Sequence, residues 1–250
     1  MDKRVKMIVF TGVLSALVIL LQVFLGIPFG PFSITLALFP IVVGAVVLGP
    51  VPGLVLGLVF GVVVSILSLT GKDPGGQMVF AANPFMAWVL CLLKGAMAGF
   101  LPAIIYKAVR KFKYLAELGY ALTGAAIFAG GFAVAKITAG IENNAARIII
   151  PVAFVIVAAG LLIALYKMFQ SGIAACYIAS MAAPIANTGI FIIGMLIFFQ
   201  PVLRTWAGGS NVLVYVLSGL VGMNFIIELF VSVALSPAVA AINKFAARGL

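Results

Sequence analysis

The sequence predicts an all-α fold, a polytopic transmembrane helical bundle of about eight spans forming one domain over residues 1–250. Three observations predict it. Of the 250 residues, 65% are hydrophobic and 8% charged, with a mean hydropathy of +1.34, whereas soluble chains carry about a quarter charged residues. Apolar runs long enough for a hydrocarbon core of about 30 Å recur along the chain, separated by charges and by Pro and Gly. Lys and Arg, fifteen against five acids, gather in alternate connecting segments, as in oriented membrane helices. A soluble enzyme or nucleic-acid-binding domain cannot cover so much apolar surface. The +10 net charge therefore reads as topology, with no nucleic-acid partner.

The expected spans, in order, are Met7–Leu25, Ser33–Leu48, Pro52–Leu69, Pro84–Tyr106, Leu118–Ala139, Ile148–Tyr166, Gly172–Phe199 and Val212–Ala234. The second and third are short. The first has the basic flank of a signal peptide in Lys3, Arg4 and Lys6, but its apolar stretch is too long and lacks an Ala-x-Ala site, so it stays as a helix. Lys3, Arg4, Lys6, Lys107, Arg110, Lys111, Lys113, Lys167, Lys244 and Arg248 fall on one side, and Lys72, Lys136, Arg147 and Arg204 on the other. An even span number then puts both termini in the cytoplasm, with Trp88 and Trp206 near the outer interface. Pro40 is expected to bend the second span, and Pro102, Pro151, Pro184 and Pro201 to interrupt others.

Small residues let helix backbones approach within lipid. Gly49, Gly53, Gly57 and Gly61 recur every four residues with Ser65 continuing the stripe, and Gly95 and Gly99 repeat the theme; intramolecular packing accounts for both. In the first span Gly12 and Ala16, flanked by Thr11 and Ser15, form a similar pair near the cytoplasmic end that is a candidate partner-binding face. The outer segments Gly26–Phe32 and Thr70–Asn83 are rich in turn formers and suit either loops over a ligand or plain connectors.

Polar side chains at membrane depth are costly and are functional candidates by default. Counted from the outer span ends, Lys94, Asn187 and Asn224 come out roughly 14 to 20 Å deep, where they can meet in one pocket. Glu228 follows Asn224 by one turn and is positioned either to join that pocket or to form a structural pair with Lys94. Gln22, Gln77 and Asn83 are further candidates near the outer mouth. With no His, five acids, no Cys-x-x-Cys spacing and Cys91 and Cys176 inside apolar runs, no catalytic site, metal or other cofactor is expected, and both cysteines read as packing residues. There is no Gly-rich loop followed by Lys and Ser or Thr, so ATP hydrolysis would belong to partners.

Several stretches in order resemble the substrate-binding S components of energy-coupling factor (ECF) vitamin transporters. Gly12–Ala16 (GVLSA), 28–40 (PFGPFSITLALFP) and 48–61 (LGPVPGLVLGLVFG) look like the family's first three helices. Residues 94–99 (KGAMAG) resemble the fourth, 186–199 (ANTGIFIIGMLIFF) the fifth, and the span bearing Asn224 and Glu228 takes the position of the sixth. The match covers most of residues 1–112 and 171–243.

The resemblance implies a six-helix core in a multi-pass protein of the bacterial plasma membrane. It implies an outward-facing vitamin pocket for which Lys94, Asn187 and Asn224 are plausible contacts, and toppling of the subunit to release cargo. It also implies that Gly12 and Ala16 pack on a transmembrane T component driven by two ATP-binding subunits. Lys94 hints at an anionic vitamin such as pantothenate or folate, with riboflavin or another cofactor precursor still open. Residues 115–168 depart from the pattern as a probable inserted helical hairpin, with a polar outer turn at 140–147. The alternatives are a self-sufficient secondary carrier or channel, for which buried relay groups are scarce, and a non-transporting membrane scaffold.

Overall fold

The structure is a computed structural model that describes residues 2–29, 32–112, 173–209, 211–216 and 225–249, with scattered positions between 117 and 163. It divides into two compact units, Met1–Lys107 with Cys176–Leu250, and Ala108–Ala175. The expected insertion at 115–168 lies almost wholly outside the described residues, as do the two spans assigned to it.

The described residues are helical apart from one small hairpin. In order, they form α1 (Lys3–Phe24), β1 (Ile27–Phe29), β2 (Phe32–Ile34), α2 (Leu38–Val47), α3 (Pro50–Leu69), α4 (Pro74–Ala82) and α5 (Pro84–Lys111). There follow α6 (Ala174–Phe198), α7 (Gln200–Ala207), α8 (Val212–Tyr215) and α9 (Ile226–Gly249). Five described helices are long and apolar enough to cross a membrane: α1, α3, α5, α6 and the Glu228–Ala247 stretch of α9. Large apolar side chains of α1, including Ile8, Val13, Leu20 and Phe24, are exposed on the protein, which suits contact with acyl chains and not with water.

The chain signals its own helix ends. Asp2 caps α1, its carboxylate accepting from the Arg4 N–H at 3.3 Å. Asn83 does the same for α5, its Oδ1 accepting from Met86 N at 3.1 Å, with Pro84 at the first helical position where no donor is needed. Gly208, at φ 56°, closes α7 in the left-handed conformation that glycine adopts without penalty.

The expected second span departs most from the sequence reading. Residues 32–34 pair antiparallel with 27–29 in the register Ile27↔Ile34, Pro28↔Ser33 and Phe29↔Phe32. Thr35 Oγ1 then accepts from Ala37 N at 3.0 Å, so the helix starts only at Leu38 and is ten residues long, about 15 Å. That is half a bilayer core. Pro40 does not bend it, because it sits in the first turn, where its missing N–H has no intrahelical acceptor to lose. Gly49, at φ 107°, ends the segment and turns the chain into α3. It therefore stands outside the expected glycine stripe, and nothing lies within 4 Å of where its Cβ would be.

The rest of that stripe forms the central seam. A Cβ on Gly61 would fall 2.6 Å from the Cys91 carbonyl oxygen, while Cβ atoms on Gly53 and Gly57 would collide with the carbonyl oxygens of Gly99 and Gly95. The collisions are reciprocal, since Gly95 and Gly99 face the carbonyls of Gly57 and Gly53. Here α3 and α5 touch backbone to backbone. Ser65 continues the face fully buried, its hydroxyl donating to Gly61 O at 2.9 Å, so that no polar group is stranded.

Around the seam α1 packs on α2 and α3, and α2 packs on α9. One apolar cluster joins Val18, Leu56, Phe60, Leu90, Met195 and Phe199. A second joins Val42, Val46, Cys176, Ala179, Ala183 and Val239 across α2, α6 and α9. Cys91 and Cys176 are buried within these clusters and form no disulfide with each other. The last expected span, Val212–Ala234, straddles the start of α9, whose described helix runs on to Gly249 and carries Glu228 in its first turn.

Overpacking the seam should unfold the bundle. We expect Gly57→Leu to destabilise the protein by about 3 kcal/mol and Gly12→Leu, on an open face, by less than about 0.5 kcal/mol, read from unfolding midpoints in mixed micelles. Equal midpoints would contradict the seam.

Candidate functional site

A cavity of about 110 Å³ lies at the end of the larger unit formed by the C-terminal ends of α1 and α3 and the turn between α3 and α4. Each wall comes from a different helix. Gln22 and Val23 enter from α1, Phe60, Val64 and Leu67 from α3, Lys94 from α5, Asn187, Thr188 and Phe191 from α6, and Glu228 from α9. Thr35 contributes from the segment before α2, and Lys72 and Asp73 from the α3–α4 turn. The glycine seam sets the distance between the α3 and α5 walls. It brings Lys94, which precedes Gly95, close to the Phe60–Val64 face of α3.

The polar groups fall into two sets. Glu228 is 4% exposed and is held from α6, where Thr188 Oγ1 donates to its Oε2 at 3.3 Å and Asn187 lies beside the same carboxyl group. Lys94 lies within its electrostatic reach, but its ammonium is seated over the Phe191 ring, 4.8 Å from the centroid, a favourable place for a cation. Among the described residues no ion pair within hydrogen-bonding distance joins Lys94 to Glu228. The pair thus shares a cavity wall without closing on itself.

The second set consists of acceptors without a donor. Gln22 and Asn187 are 7% and 6% exposed, and Gln22 Oε1, Asn187 Oδ1 and Asp73 Oδ1 have no hydrogen-bond partner. Asp73 Oδ2 is satisfied by Ser68 Oγ at 3.2 Å, and that hydroxyl also reaches Val64 O at 2.9 Å. Buried polar atoms are nearly always paired. Three unpaired acceptors belong to residues that line one cavity.

Short elements follow α3 and α6 in segments that the sequence reading did not assign as helices. Helix α4 packs on α3, α7 and β2. Trp206 on α7 points its indole Nε1–H at Met78 Sδ, 3.2 Å away, and Trp88 meets Phe80 edge to face at 6.0 Å.

Of the residues singled out from sequence, Gln22, Lys94, Asn187 and Glu228 come together here. Asn83 and Gln77 do not line the cavity: Asn83 caps α5, and Gln77 is exposed on α4 beside Gly71. Asn224 lies outside the described residues. Sequence reasoning missed Thr188, Thr35 and Asp73. Thr188 adjoins Asn187, so its signal was a hydroxyl beside an amide in an apolar run, whereas Asp73 sat in a segment read as a connector. On α1, Thr11 Oγ1 donates to Met7 O at 2.7 Å, Ser15 is half-buried, and Gly12 and Ala16 are exposed, with no atom within 4 Å of a Cβ built on Gly12.

No family model, curated protein or solved structure matches the chain. The functional reading therefore rests on these residues.

Thr188 should matter for stability through Glu228. Thr188→Val should lower stability by about 1 to 2 kcal/mol by removing a donor from a buried carboxyl group, while Thr188→Ser retains most of it. Thermal unfolding in detergent reads the difference, and an unchanged midpoint for Thr188→Val would contradict the assignment.

Proposed function

We propose that this chain is the substrate-capturing membrane subunit of an ATP-driven importer of the ECF type, taking a vitamin or related small cofactor precursor, with ATP hydrolysis in partner subunits. The observation that carries the reading is the convergence of Lys94, Asn187, Gln22 and Glu228 from four helices on one cavity. That cavity stands at the opposite end of its helices from the basic clusters. Gln22, Lys94 and Glu228 are separated from Lys3, Lys107 and Lys244 on the same helices by about 20 to 28 Å of axial rise. Under the positive-inside rule the basic end is cytoplasmic, both termini with it, and the cavity faces out.

A second feature supports the reading. The exposed Gly12 and Ala16 leave on α1 a small-residue face of the kind on which membrane helices dock closely, and it lies near the basic end, away from the cavity. Capture and docking thus fall on separate surfaces, as the division of labour between this chain and a T component with two ATP-binding subunits requires. The open cavity and the hydrogen bond from Thr188 to Glu228 fit a capture site better than the proton relay a self-sufficient carrier needs.

Native mass spectrometry of the gently extracted protein reads both surfaces at once. Gly12→Leu and Ala16→Leu should lose attached subunits and keep a retained small molecule, and Lys94→Met should do the reverse. A chain that carries neither subunits nor a small molecule, or Leu variants that lose the small molecule while folded, would overturn the proposal.

A further inference from the structure

The cavity's own hydrogen-bonding chemistry narrows what it takes, on the reading that it is a capture site. Lys94 alone suggests an anion, but the complete lining is balanced, with Lys72 and Lys94 against Asp73 and Glu228. Lys94 is already within reach of Glu228 and seated on Phe191. A carboxylate entering this space would meet the carboxyl groups of Asp73 and Glu228 as well as the two lysines.

The unmet demand is for donors. Gln22 Oε1 on α1, Asp73 Oδ1 on the α3–α4 turn and Asn187 Oδ1 on α6 are acceptors without partners, and Gln22 and Asn187 are more than nine-tenths buried. Asn187 lies beside Glu228, and its Oδ1 has no partner. An acceptor-only anion cannot satisfy any of these oxygens, and leaving a buried acceptor unpaired is the more expensive outcome. Phe60 and Phe191 supply apolar walls from opposite helices, suited to the faces of a planar ring.

We propose that the cavity takes a neutral or zwitterionic ring compound whose edge carries two or more N–H or O–H donors directed at Gln22, Asp73 and Asn187, and that a simple carboxylate is rejected. Specificity then comes from paired donors, and Lys94 serves an acceptor atom of the same molecule.

The isosteric pair benzamide and benzoate tests this, since the two differ in donor capacity and charge at nearly constant shape. Ligand-observed NMR on the purified full-length protein in nanodiscs at about 10 mM probe suits fragments of this size, which bind weakly. Benzamide should bind about tenfold more tightly than benzoate, the consequence of pairing or stranding a buried acceptor. Gln22→Met or Asn187→Leu should erase the preference; Gln22 is on the cavity-facing end of α1, so its variant keeps the test alive if Asn187→Leu fails to fold. Equal binding, tighter benzoate binding or no binding of either would overturn the donor assignment. The capture reading fails separately, through the absence of any retained small molecule in the extracted protein.

Discussion

The close approach of α3 and α5 is the constraint on which the rest depends. In lipid no hydrophobic force drives two apolar helices together, so their separation is decided by side-chain bulk and by what the backbones can offer each other. Gly53, Gly57 and Gly61 on one side and Gly95 and Gly99 on the other remove the bulk entirely, and each points the hydrogen that a Cβ would replace at a carbonyl oxygen across the seam. Such contacts are individually weak, yet they lock rotation and register, since a one-residue slip puts Val or Leu where Gly now stands. The register matters because Lys94 immediately precedes the first of the α5 glycines. Its place opposite Phe60 and Val64 is inherited from the seam.

From that geometry the electrostatics follow. A Lys at membrane depth needs a partner, and here the partners are divided: the face of Phe191 holds the ammonium, while Glu228 is nearby but bonded to Thr188. An ion pair closed directly between Lys94 and Glu228 would have filled the space and left an inert core. Instead α6 supplies a donor to Glu228, and the cavity keeps a cation and three unpaired acceptors along its lining. In the proposed role this polarity is what a captured molecule recognises.

Much of this was legible in the residues. The apolar runs of α1, α3, α5 and α6 mark their own length, and the four-residue glycine spacing is visible without a structure. Depth counting brought Lys94 and Asn187 to one level because both helices are long and regular. It failed where the helix was not. Residues 33–48 have the composition of a span, but a strand takes the first residues, Thr35 turns the chain by accepting from Ala37 N ahead of the helix, and Gly49 stops it, all local backbone choices that an average over hydropathy cannot see. The span Val212–Ala234 includes residues 217–224, which lie outside the described residues, and the described helix α9 runs past its expected end because apolar character extends beyond Ala234. Gln77 and Asn83 were chosen for polarity near the outer mouth, but Asn83 is spent on a helix cap, which its position before Pro84 already suggests. Asp73 went unnoticed because its importance lies in one unpaired oxygen, a property of three-dimensional surroundings.

The account rests on the claim that the cavity between α1, α3, α5 and α6 is a site for one small molecule. The most direct measurement is a high-resolution structure of the protein extracted gently from its own membrane. The account predicts density for a single compact molecule between Phe60 and Phe191, in hydrogen-bonding distance of Lys94, Gln22 and Asn187. A cavity collapsed by a direct Lys94–Glu228 ion pair, or filled by a lipid chain, would contradict it.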